Sequence, residues 1–318
     1  RCRELGVGLS FQHEVESLEL LQDADLVVAA DGINSRVREQ FAEHFQPRLD
    51  WRRNKFVWLG TDRPMDAFTF LFQDSPHGLV QAHAYPYQAG LGTFIVELRE
   101  EVWRAAGLEQ ADEAATLAFA EATFKDWLGP HRLLTNRSLW RTFPTVRCRR
   151  WVKDHIVLMG DAVHTAHFSI GSGTKLAMED AIALAETFRD FGPAHSRADA
   201  MEVLAEYEDR RWVEVLRTQK AAQTSLEWFE DAARYRSQTP LRFTFNLMSR
   251  SKRITWDNMR SRDRDFMAQV RDEFWEREAL PLLPGSEGPS PVRPAGYVGP
   301  FVRAARRRPA EPMFAPFQ

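Results

Sequence analysis

Two stretches of the chain are continuous apolar runs, without the alternation of a strand that has one face in water. They cover Leu26–Ala30 and Ile156–Met159, and such runs are typical of strands buried on both faces of a parallel sheet. The first run is followed by the turn Asp31-Gly32 and the second by the turn Gly160-Asp161. In doubly wound folds, ligands bind where such turns leave the carboxyl edge of the sheet. We therefore expect both turns to face one crevice.

A helix is predicted after each turn. Asn34-Ser35 caps the first helix, which the sequence predicts over residues 36–44. The second begins near Gly171–Thr174, where glycines let the backbone approach a ligand closely, and it continues to about Phe191. The free N–H groups of its first turn favour negative charge. Together with a polyol-binding carboxylate at Asp161, they favour a cofactor like flavin, whose reduced ring becomes anionic.

The region between the first predicted helix and the second apolar run predicts an antiparallel sheet, because short segments rich in Phe, Val and Thr alternate there with turn residues. The predicted strands are Lys55–Thr61, Ala67–Gln73, Gly78–Tyr85 and Leu91–Leu98. Phe68, Phe70 and Phe72 alternate and so share one face, and such a stripe is usually core. Near the start of the chain, Gly8–Phe11 and Glu14–Leu21 alternate weakly and predict a small ribbon.

Helical periodicity dominates the rest of the chain. The further predicted elements are an amphipathic helix over Asp112–Trp127, a strand over Ser138–Arg147, and helices over Arg197–Ala232, Leu241–Met248 and Arg262–Arg277. The long, highly charged helix over Arg197–Ala232 exposes a polar face that we interpret as surface. From about Pro281 the composition turns to Pro, Gly and Ser, which is typical of a linker.

Composition narrows the function classes. The 318 residues carry a net charge of −3, so no global positive field argues for nucleic acid. No apolar run approaches the length of a membrane span. The two cysteines, Cys2 and Cys148, lack metal or redox spacing, which predicts free thiols in a reducing, cytoplasmic compartment. The 10 Trp and 22 Phe indicate ordinary packing or, alternatively, a pocket for a flat aromatic ligand.

Two motifs carry a family resemblance. Gly160-Asp161-Ala162-Val163-His164 is followed by Gly171-Ser172-Gly173 and by Glu179-Asp180-Ala181, while Ala30–Arg38 reads Ala-Asp-Gly-Ile-Asn-Ser-Arg-Val-Arg. Both motifs, in this order and with a substrate-domain-sized region between them, resemble the aromatic-ring hydroxylases, the single-component FAD monooxygenases that include para-hydroxybenzoate hydroxylase. The resemblance extends from the start of the chain to about Asp231.

Two departures resemble one branch of that family. Most members have Pro where this chain has Phe168 and Asn where it has Lys175. The run from His164 to Lys175 looks instead like salicylyl-CoA 5-hydroxylases and the monooxygenase half of 2-aminobenzoyl-CoA monooxygenase/reductase. The tail Pro312–Phe317 resembles the opening of an old-yellow-enzyme-like barrel, so the resemblance implies a parent protein with a further, FMN-binding domain.

The resemblance implies an α/β fold, α+β overall. It consists of a partial Rossmann-like FAD-binding domain of the glutathione-reductase type, an inserted antiparallel sheet for substrate, and a C-terminal helical region. The expected segments are 1–50 and 151–192 for FAD, 51–150 for substrate, 193–280 for helices and 281–318 for a linker. The chain contains no Gly-x-Gly-x-x-Gly, the fingerprint that grips the FAD pyrophosphate. We therefore expect an N-terminally truncated fragment.

The resemblance also implies the chemistry, most of which belongs to the cofactor. NAD(P)H reduces FAD, oxygen adds at the flavin C4a carbon, and the resulting hydroperoxide hydroxylates an electron-rich ring, here of an aromatic acyl-CoA thioester. No protein group is expected to act as the catalyst. The alternatives are a hydroxylase of a free phenolic acid, an FAD-dependent reductase or dehydrogenase of related fold, and a fragment that is inactive alone. A small aromatic substrate and a homodimer are the expected partners, with no nucleic acid and no membrane.

The candidate site residues follow from the motifs. The expected cofactor-binding residues are Asp31, Gly32, Ser35, Arg38, Gly160, Asp161, Ala162, His164, Gly171, Ser172, Gly173, Thr174 and Lys175. The expected substrate residues are Phe168 and, on the sheet face opposite the Phe stripe, Gln81, His83 and Tyr85. Lys175 either neutralises charge near the flavin pyrimidine or only solvates the helix start. No metal site is expected, since the flavin motif accounts for Asp161 and His164.

One further cluster has two interpretations. Arg147, Arg149, Arg150 and Lys153 form a local basic group. Such a run is usually a solvated loop, which we favour, and the alternative is contact with the phosphates of FAD, NAD(P)H or a nucleotide-bearing substrate.

Overall fold

The two continuous apolar runs form neighbouring parallel strands. In the computed structural model, which describes residues 1–192 and 196–277, β1 (Val27–Ala29) pairs in parallel with β9 (Ile156–Leu158), and Ala29 lies opposite Leu158. β8 (Val152–Lys153) pairs with β9 on its other side, antiparallel. The predicted strand–turn–helix units are therefore adjacent, and both turns leave the same edge of the sheet.

The remaining elements are six strands and ten α-helices of the described residues. The other strands are β2 (Pro47–Thr61), β3 (Thr69–Ser75), β4 (Gly78–Gln88), β5 (Leu91–Arg99), β6 (Leu133–Leu134) and β7 (Arg141–Cys148). The α-helices of the described residues are α1 (Arg36–Gln40), α2 (Ala42–Phe45), α3 (Glu100–Ala105), α4 (Glu113–Thr123), α5 (Lys125–Leu128), α6 (Gly173–Phe191), α7 (Arg197–Glu230), α8 (Pro240–Ser249), α9 (Trp256–Arg262) and α10 (Arg264–Arg277). The chain divides into two compact units, Arg1–Asp263 and a second that begins at Arg264. Every site feature described below belongs to the first unit.

The predicted antiparallel sheet is confirmed. Its strand order is β3-β4-β5-β2-β6, and β7 also pairs with β2. β2 is longer than the sequence predicts: it begins at Pro47 instead of Lys55, and its pairing with β7 shifts register between Trp51 and Lys55. The strand therefore runs across the expected segment boundary at residues 50 and 51.

The two faces of this sheet differ in chemistry. One face is apolar and buried against Leu108, Ala120, Phe124 and Leu128 of the helical segment that follows β5. Its sheet residues are Val57, Leu59, Val80, Ala82, Ala84, Phe94, Val96 and Leu98. The opposite face carries aromatic and polar side chains and faces α7. Two contacts fix it there: Arg52 pairs with Glu230 at 2.6 Å, and Gln81 Nε2 donates to the Phe229 carbonyl oxygen at 3.0 Å.

Several predicted elements need correction. The ribbon over Gly8–Phe11 and Glu14–Leu21 is absent, and Leu18–Leu21 is instead a 3-10 helix. The helix predicted over 36–44 is interrupted at Phe41, where the backbone turns to φ −114° and ψ 36°. Phe124 interrupts the helix predicted over Asp112–Trp127 in the same way. Since both phenylalanines pack inward, core contacts override helix propensity at these positions.

The C-terminal helices show one further difference. The sequence predicts a single helix over Arg262–Arg277, but α9 ends at Arg262 and α10 begins at Arg264. Asp263 between them is extended, with φ −142° and ψ 94°. α9 has its own capping box, in which Thr255 and Asn258 bond each other's backbone amides. The predicted linker from Pro281 and the tail Pro312–Phe317 lie outside the described residues.

The long helix behaves largely as its pattern predicts. α7 ends at Glu230, and Val203, Leu204, Tyr207 and Val215 are buried. Within the described ranges, no helix is both long and apolar enough to cross a membrane.

Candidate active site

The two turns meet at the carboxyl edge of the parallel sheet. The Met159 amide donates to the Ala29 carbonyl oxygen at 2.9 Å, so the strands stay paired up to the point where both loops leave. Asp31-Gly32 follows one strand and Gly160 opens a 3-10 helix after the other. The structure thus brings together the two motifs that the sequence separates.

Arg38 joins these loops from within. Its side chain is buried, and Nη1 donates to the Ala162 carbonyl oxygen at 2.8 Å, while Nη2 donates to that of Ile33 at 2.6 Å. Ser35, also buried, caps α1 by accepting from the Arg38 amide at 3.0 Å. The side chains of Ser35 and Arg38 are therefore occupied by protein atoms.

Asp180 holds the Gly160 turn. Its fully buried carboxylate accepts from the Gly160 amide at 3.1 Å and from Arg211 Nε at 2.9 Å. The ring of His164 is also buried, and its Nε2 lies 2.9 Å from Asp180 Oδ2. Gly160 has a φ of 59°, and an added Cβ would lie 3.1 Å from that of Ala177. The motif segment Glu179-Asp180-Ala181 therefore supports the Gly160 turn from inside the fold.

The two loop aspartates have different environments. Asp31 Oδ2 accepts from the amides of Arg36 and Val37 at 2.8 and 3.4 Å, so one oxygen caps α1. Asp161 is exposed, and no residue of the described part of the chain donates to its carboxylate or pairs with it. Desolvation by the surrounding protein raises the pKa of Asp161, against the lowering effect of the nearby His164. An acceptor on the rim is therefore available to a ligand.

The start of α6 presents unpaired amides. Gly171 is exposed with a φ of 61°, and Ser172 donates from Oγ to the Ile170 carbonyl oxygen at 3.3 Å. Within the described residues, no acceptor bonds the amides of Gly173, Thr174 and Lys175. These amides and the helix dipole together favour an anion.

Lys175 forms an ion pair with Glu179, one turn along the exposed surface of α6. This contact supports the interpretation in which Lys175 solvates the helix start. The basic cluster is not a single loop, because Arg147 lies in β7 and Lys153 in β8. Arg147, Arg149 and Arg150 are exposed and Lys153 pairs with its neighbour Asp154 at 2.5 Å, so both interpretations of the cluster stay predictions.

The face assigned to the substrate candidates is corrected by the strand register. Phe70 pairs with His83 and Phe72 with Gln81, so these polar residues share the face of the Phe stripe instead of opposing it. Phe70 and Phe72 pack on Phe229 of α7 with ring centroids 5.6 and 6.3 Å apart. At the edge of the same face, Tyr85 stacks on Phe68 at 5.1 Å.

Phe168 connects the second motif loop to this sheet face. Its ring centroid lies 5.0 Å from that of Phe56, 5.9 Å from that of Trp58 and 5.3 Å from that of His83. Phe168 begins the 3-10 helix that ends immediately before Gly171. The loop that leads into the unpaired amides of α6 therefore packs on the polar–aromatic side of the sheet.

A buried acid behind Phe168 was not predicted from the sequence. Glu97 accepts from His83 Nε2 at 2.9 Å and from Asn54 Nδ2 at 2.8 Å. Burial acts to raise the pKa of Glu97, but the bond from His83, the proximity of His167 and the Asn54 amide outweigh burial and lower the pKa. The sequence signal for it is an acidic residue inside the apolar run from Phe94 to Leu98.

His167 is a second buried titratable group in this cluster. Burial lowers its pKa to about 4, although the charge of Glu97 acts in the opposite direction. Its Nδ1 accepts from the Ser169 amide at 3.3 Å, which fixes a neutral ring at the start of the Phe168 turn. Among the described residues, no group of three or more His, Cys, Asp or Glu side chains is arranged to hold a metal.

Arg250 is a further residue that sequence reasoning missed. It donates to the Ser169 carbonyl oxygen at 2.7 Å and to Ser225 Oγ at 2.9 Å. Its guanidinium also lies 4.9 Å from the ring centroid of Phe70. This arginine anchors the Phe168 turn from the end of α8, and an isolated arginine between helices carries no motif that would reveal it.

A family comparison decides the classification of this site. The model of a family described as "FAD binding domain" matches residues 16–213, more than half of the chain and all of the motif residues. The chain belongs to this FAD-binding family.

Named relatives extend the comparison. Salicyloyl-CoA 5-hydroxylase from a Streptomyces species is 42% identical over 319 residues, covering 96% of this chain and 58% of its own length. A 3-hydroxy-4-methyl-anthranilyl-[aryl-carrier protein] 5-monooxygenase from Streptosporangium sibiricum is 37% identical over 259 residues, covering 81% of this chain and 67% of its own length. The chain thus spans little more than half of the first relative.

Solved structures show the same fold. The tetrameric form of 2-methyl-3-hydroxypyridine-5-carboxylic acid oxygenase matches with a TM-score of 0.51 and 16% identity, covering 74% of this chain and 58% of that one.

Proposed function

We propose that the protein containing this chain is an FAD-dependent monooxygenase that uses NAD(P)H and O2 to hydroxylate the aromatic ring of an aryl thioester. The observation that carries this proposal is the position of Phe168. This residue lies in the chain between the motif segments Gly160–His164 and Gly171–Gly173. Its ring packs on Phe56, Trp58 and His83 of the polar–aromatic sheet face. A flavin held by the loops would therefore adjoin an aromatic pocket wall.

The free groups at the sheet edge fit a flavin. Asp161 offers the hydroxyls of the ribityl chain a carboxylate that has no partner in the described part of the chain, and the amides of residues 173–175 offer donors for an anionic ring. Gly32 and Gly171 have φ values of 80° and 61°, and no atom lies within 4 Å of an added Cβ at either position. Both loops therefore leave room for a ligand beside the backbone.

The buried motif residues would act by holding these loops. The side chains of Ser35, Arg38 and His164 and the backbone of Gly160 and Ala162 contact protein groups. We assign Ser35, Arg38 and His164 to positioning of the two loops. When it is bound and reduced, the flavin supplies the activation of O2. The chain supplies binding, orientation and exclusion of water.

The ring substrate is the finer part of the proposal. Two relatives are named for aromatic rings carried on thioester-forming groups, one on CoA and one on an aryl-carrier protein. The buried His83–Glu97 pair and the surrounding aromatic rings suit a ring with a polar substituent. A homodimer and a cytoplasmic location are also part of the proposal, and the free thiols Cys2 and Cys148 support the latter.

The experiment uses the complete gene product that contains this chain. It is incubated with NAD(P)H, ¹⁸O-labelled O2 and a panel of aryl-CoA thioesters and free phenolic acids, and the products are analysed by mass spectrometry. The proposal predicts one ¹⁸O atom in the ring of a thioester. NAD(P)H oxidation with a reduced organic product and no incorporated oxygen would instead identify a reductase. Labelled free acid with unlabelled thioester would reject the substrate class alone.

A further inference from the structure

A cleft of about 520 Å³ lies along one edge of the antiparallel sheet. Its lining comes mainly from β2, from the segment between β6 and β7, and from the first residue of β7, and it includes Phe56, Trp58, Arg137, Leu139 and Arg141. Arg141 lies directly opposite Phe56 in the pairing of β2 with β7. A volume of this order lies within the range of small-molecule sites, roughly 300–1,000 Å³. None of these residues belongs to the flavin motifs.

The inner end of the cleft adjoins the proposed hydroxylation site. Phe56 and Trp58 line the cleft and also contact Phe168, with ring centroids 5.0 and 5.9 Å from it. Phe56 and Trp58 lie two residues apart on β2 and so share the polar–aromatic face. An elongated ligand with its aromatic end beside Phe168 would therefore extend outward through this cleft.

The middle of the cleft is apolar and open to solvent. Trp58 is 46% exposed and Leu139 is 62% exposed. Large apolar side chains grouped in a concave surface indicate a binding role more strongly than scattered ones do. Trp58 and Leu139 therefore suit an uncharged, flexible part of a ligand.

The outer wall is held in place by hydrogen bonds. Ser138 donates from Oγ to the Trp58 carbonyl oxygen at 2.6 Å, and its amide donates to Glu113 Oε1 at 2.8 Å. Thr135 also donates to Glu113 Oε1, at 2.5 Å. Arg137 between them has a left-handed backbone, with φ 53°. These bonds hold in place the backbone that carries Arg137.

Two guanidinium groups of the cleft lack counter-charges. Arg137 and Arg141 are exposed, and no described residue pairs with or accepts from either side chain. Glu113, the nearby carboxylate, is instead bonded to Thr135 and Ser138. Two arginines that line one cleft suit phosphate because each offers several donors in a planar fork.

We propose that this cleft binds the phosphopantetheine arm of an aryl thioester, with its phosphate at Arg137 and Arg141 and its neutral chain along Trp58 and Leu139. The inference rests on the proposed function for the identity of the aromatic end beside Phe168. The same arm occurs in CoA and on carrier proteins, so the shared group is what the cleft recognises.

Equilibrium binding tests this assignment without any turnover. Calorimetry on the complete gene product would compare three benzoyl thioesters: of CoA, of phosphopantetheine and of pantetheine, which has the same neutral chain but lacks the phosphate. The double variant Arg137→Ala/Arg141→Ala should weaken both phosphate-bearing ligands at least tenfold and leave the third within twofold. Trp58→Ala should weaken all three. Arg48→Ala, an exposed arginine of β2 outside the cleft, is the matched control and should change none.

The outcomes separate the two proposals. Equal weakening of all three ligands by the double variant, no weakening, an effect confined to CoA, or no binding by the wild type would overturn the phosphopantetheine assignment. The wild-type preference between the CoA and phosphopantetheine esters identifies the source of the arm. Ring hydroxylation by the double variant at saturating thioester would leave the proposed function standing whichever way binding turns out.

Discussion

Arg38 Nη1 donates to the carbonyl oxygen of Ala162 at 2.8 Å, across a separation of 124 residues. This buried bond joins the acidic turn after β1 to the Gly160 turn after β9. The same guanidinium donates to Ile33 within its own loop at 2.6 Å. A single side chain therefore sets the spacing of the two loops that we propose as the flavin site.

Replacing Arg38 should destabilise the fold and separate the loops. Arg38→Met keeps most of the apolar volume but leaves two carbonyl oxygens without their donor, at a cost of about 2–4 kcal/mol. Chemical denaturation followed by circular dichroism measures the change in the free energy of unfolding. Arg36→Met is the control, because Arg36 makes an exposed ion pair with Glu14, and it should cost less than about 1 kcal/mol. Equal losses for the two variants would show that Arg38 does not join the loops.

The buried pair of Asp180 and Arg211 should be strongly coupled. Asp180→Asn removes the carboxylate that Arg211 Nε contacts at 2.9 Å and leaves the guanidinium only the longer contact to Glu179, at 3.5 Å. Removing one partner of a buried ion pair costs about 3–5 kcal/mol, and Glu179 should keep the loss near the lower end of that range. Arg211→Met alone should cost a similar amount. The double variant should lose clearly less than the sum, because neither uncompensated charge remains. The free energies of unfolding of the wild type, the two single variants and the double variant form a double-mutant cycle. Losses that simply add would contradict the coupling of Asp180 and Arg211.

The stability of the folded chain should fall in mild acid through His167. Burial lowers the pKa of this histidine to about 4 in the folded state, from 6.5 for an exposed histidine. The unfolded chain therefore binds a proton first as the pH falls. The contribution of His167 to the free energy of unfolding is fully present above pH 6.5. It is lost between pH 6.5 and 4, in total roughly 3 kcal/mol.

Denaturation at several pH values tests this linkage. Glu97, whose pKa is lowered in the fold, adds a loss in the same direction below its ordinary value of 4.5. His167→Gln cannot titrate, so the loss between pH 6.5 and 4.5 should become smaller than in the wild type. An unchanged pH slope would show that His167 is not the responsible group.

The two cysteines should differ in reactivity. Cys148 is buried, and burial raises its pKa to about 12, whereas Cys2 is exposed. Only thiolates react readily with iodoacetamide. Peptide mapping by mass spectrometry should find Cys2 alkylated and Cys148 unmodified in native protein, with both modified after denaturation. Fast native alkylation of Cys148 would contradict its burial.

The sequence predicts those parts of the site that are contiguous along the chain. The turns at Asp31-Gly32 and Gly160-Asp161 are visible because a buried strand precedes each of them. Arg38 and Asp180 support these turns through contacts with residues far away in the sequence. The motif alone therefore suggests that both residues contact the ligand, whereas the structure shows them bonded to protein groups. Local periodicity reveals the strands but leaves their register open.

The substrate side shows this limit most clearly. The sequence predicts His83 as a substrate residue, but its partner Glu97 lies on the neighbouring strand and is identified only once β4 and β5 are paired. Arg137 and Arg141 carry no motif either. We assign them a role because both line the cleft beside Trp58 and neither guanidinium has a counter-charge among the residues that the structure describes.

Flavin affinity of an Asp161→Ala variant tests the central claim most directly. The complete gene product, its Asp161→Ala variant and the remote surface control Asp126→Ala are stripped of flavin, checked for folding by thermal unfolding, and titrated with FAD by fluorescence. Loss of hydrogen bonds to a carboxylate worth about 1.5–3 kcal/mol predicts a Kd raised roughly 10- to 100-fold for Asp161→Ala. The control should bind as the wild type does. A folded Asp161→Ala protein that binds FAD with unchanged Kd would contradict the account.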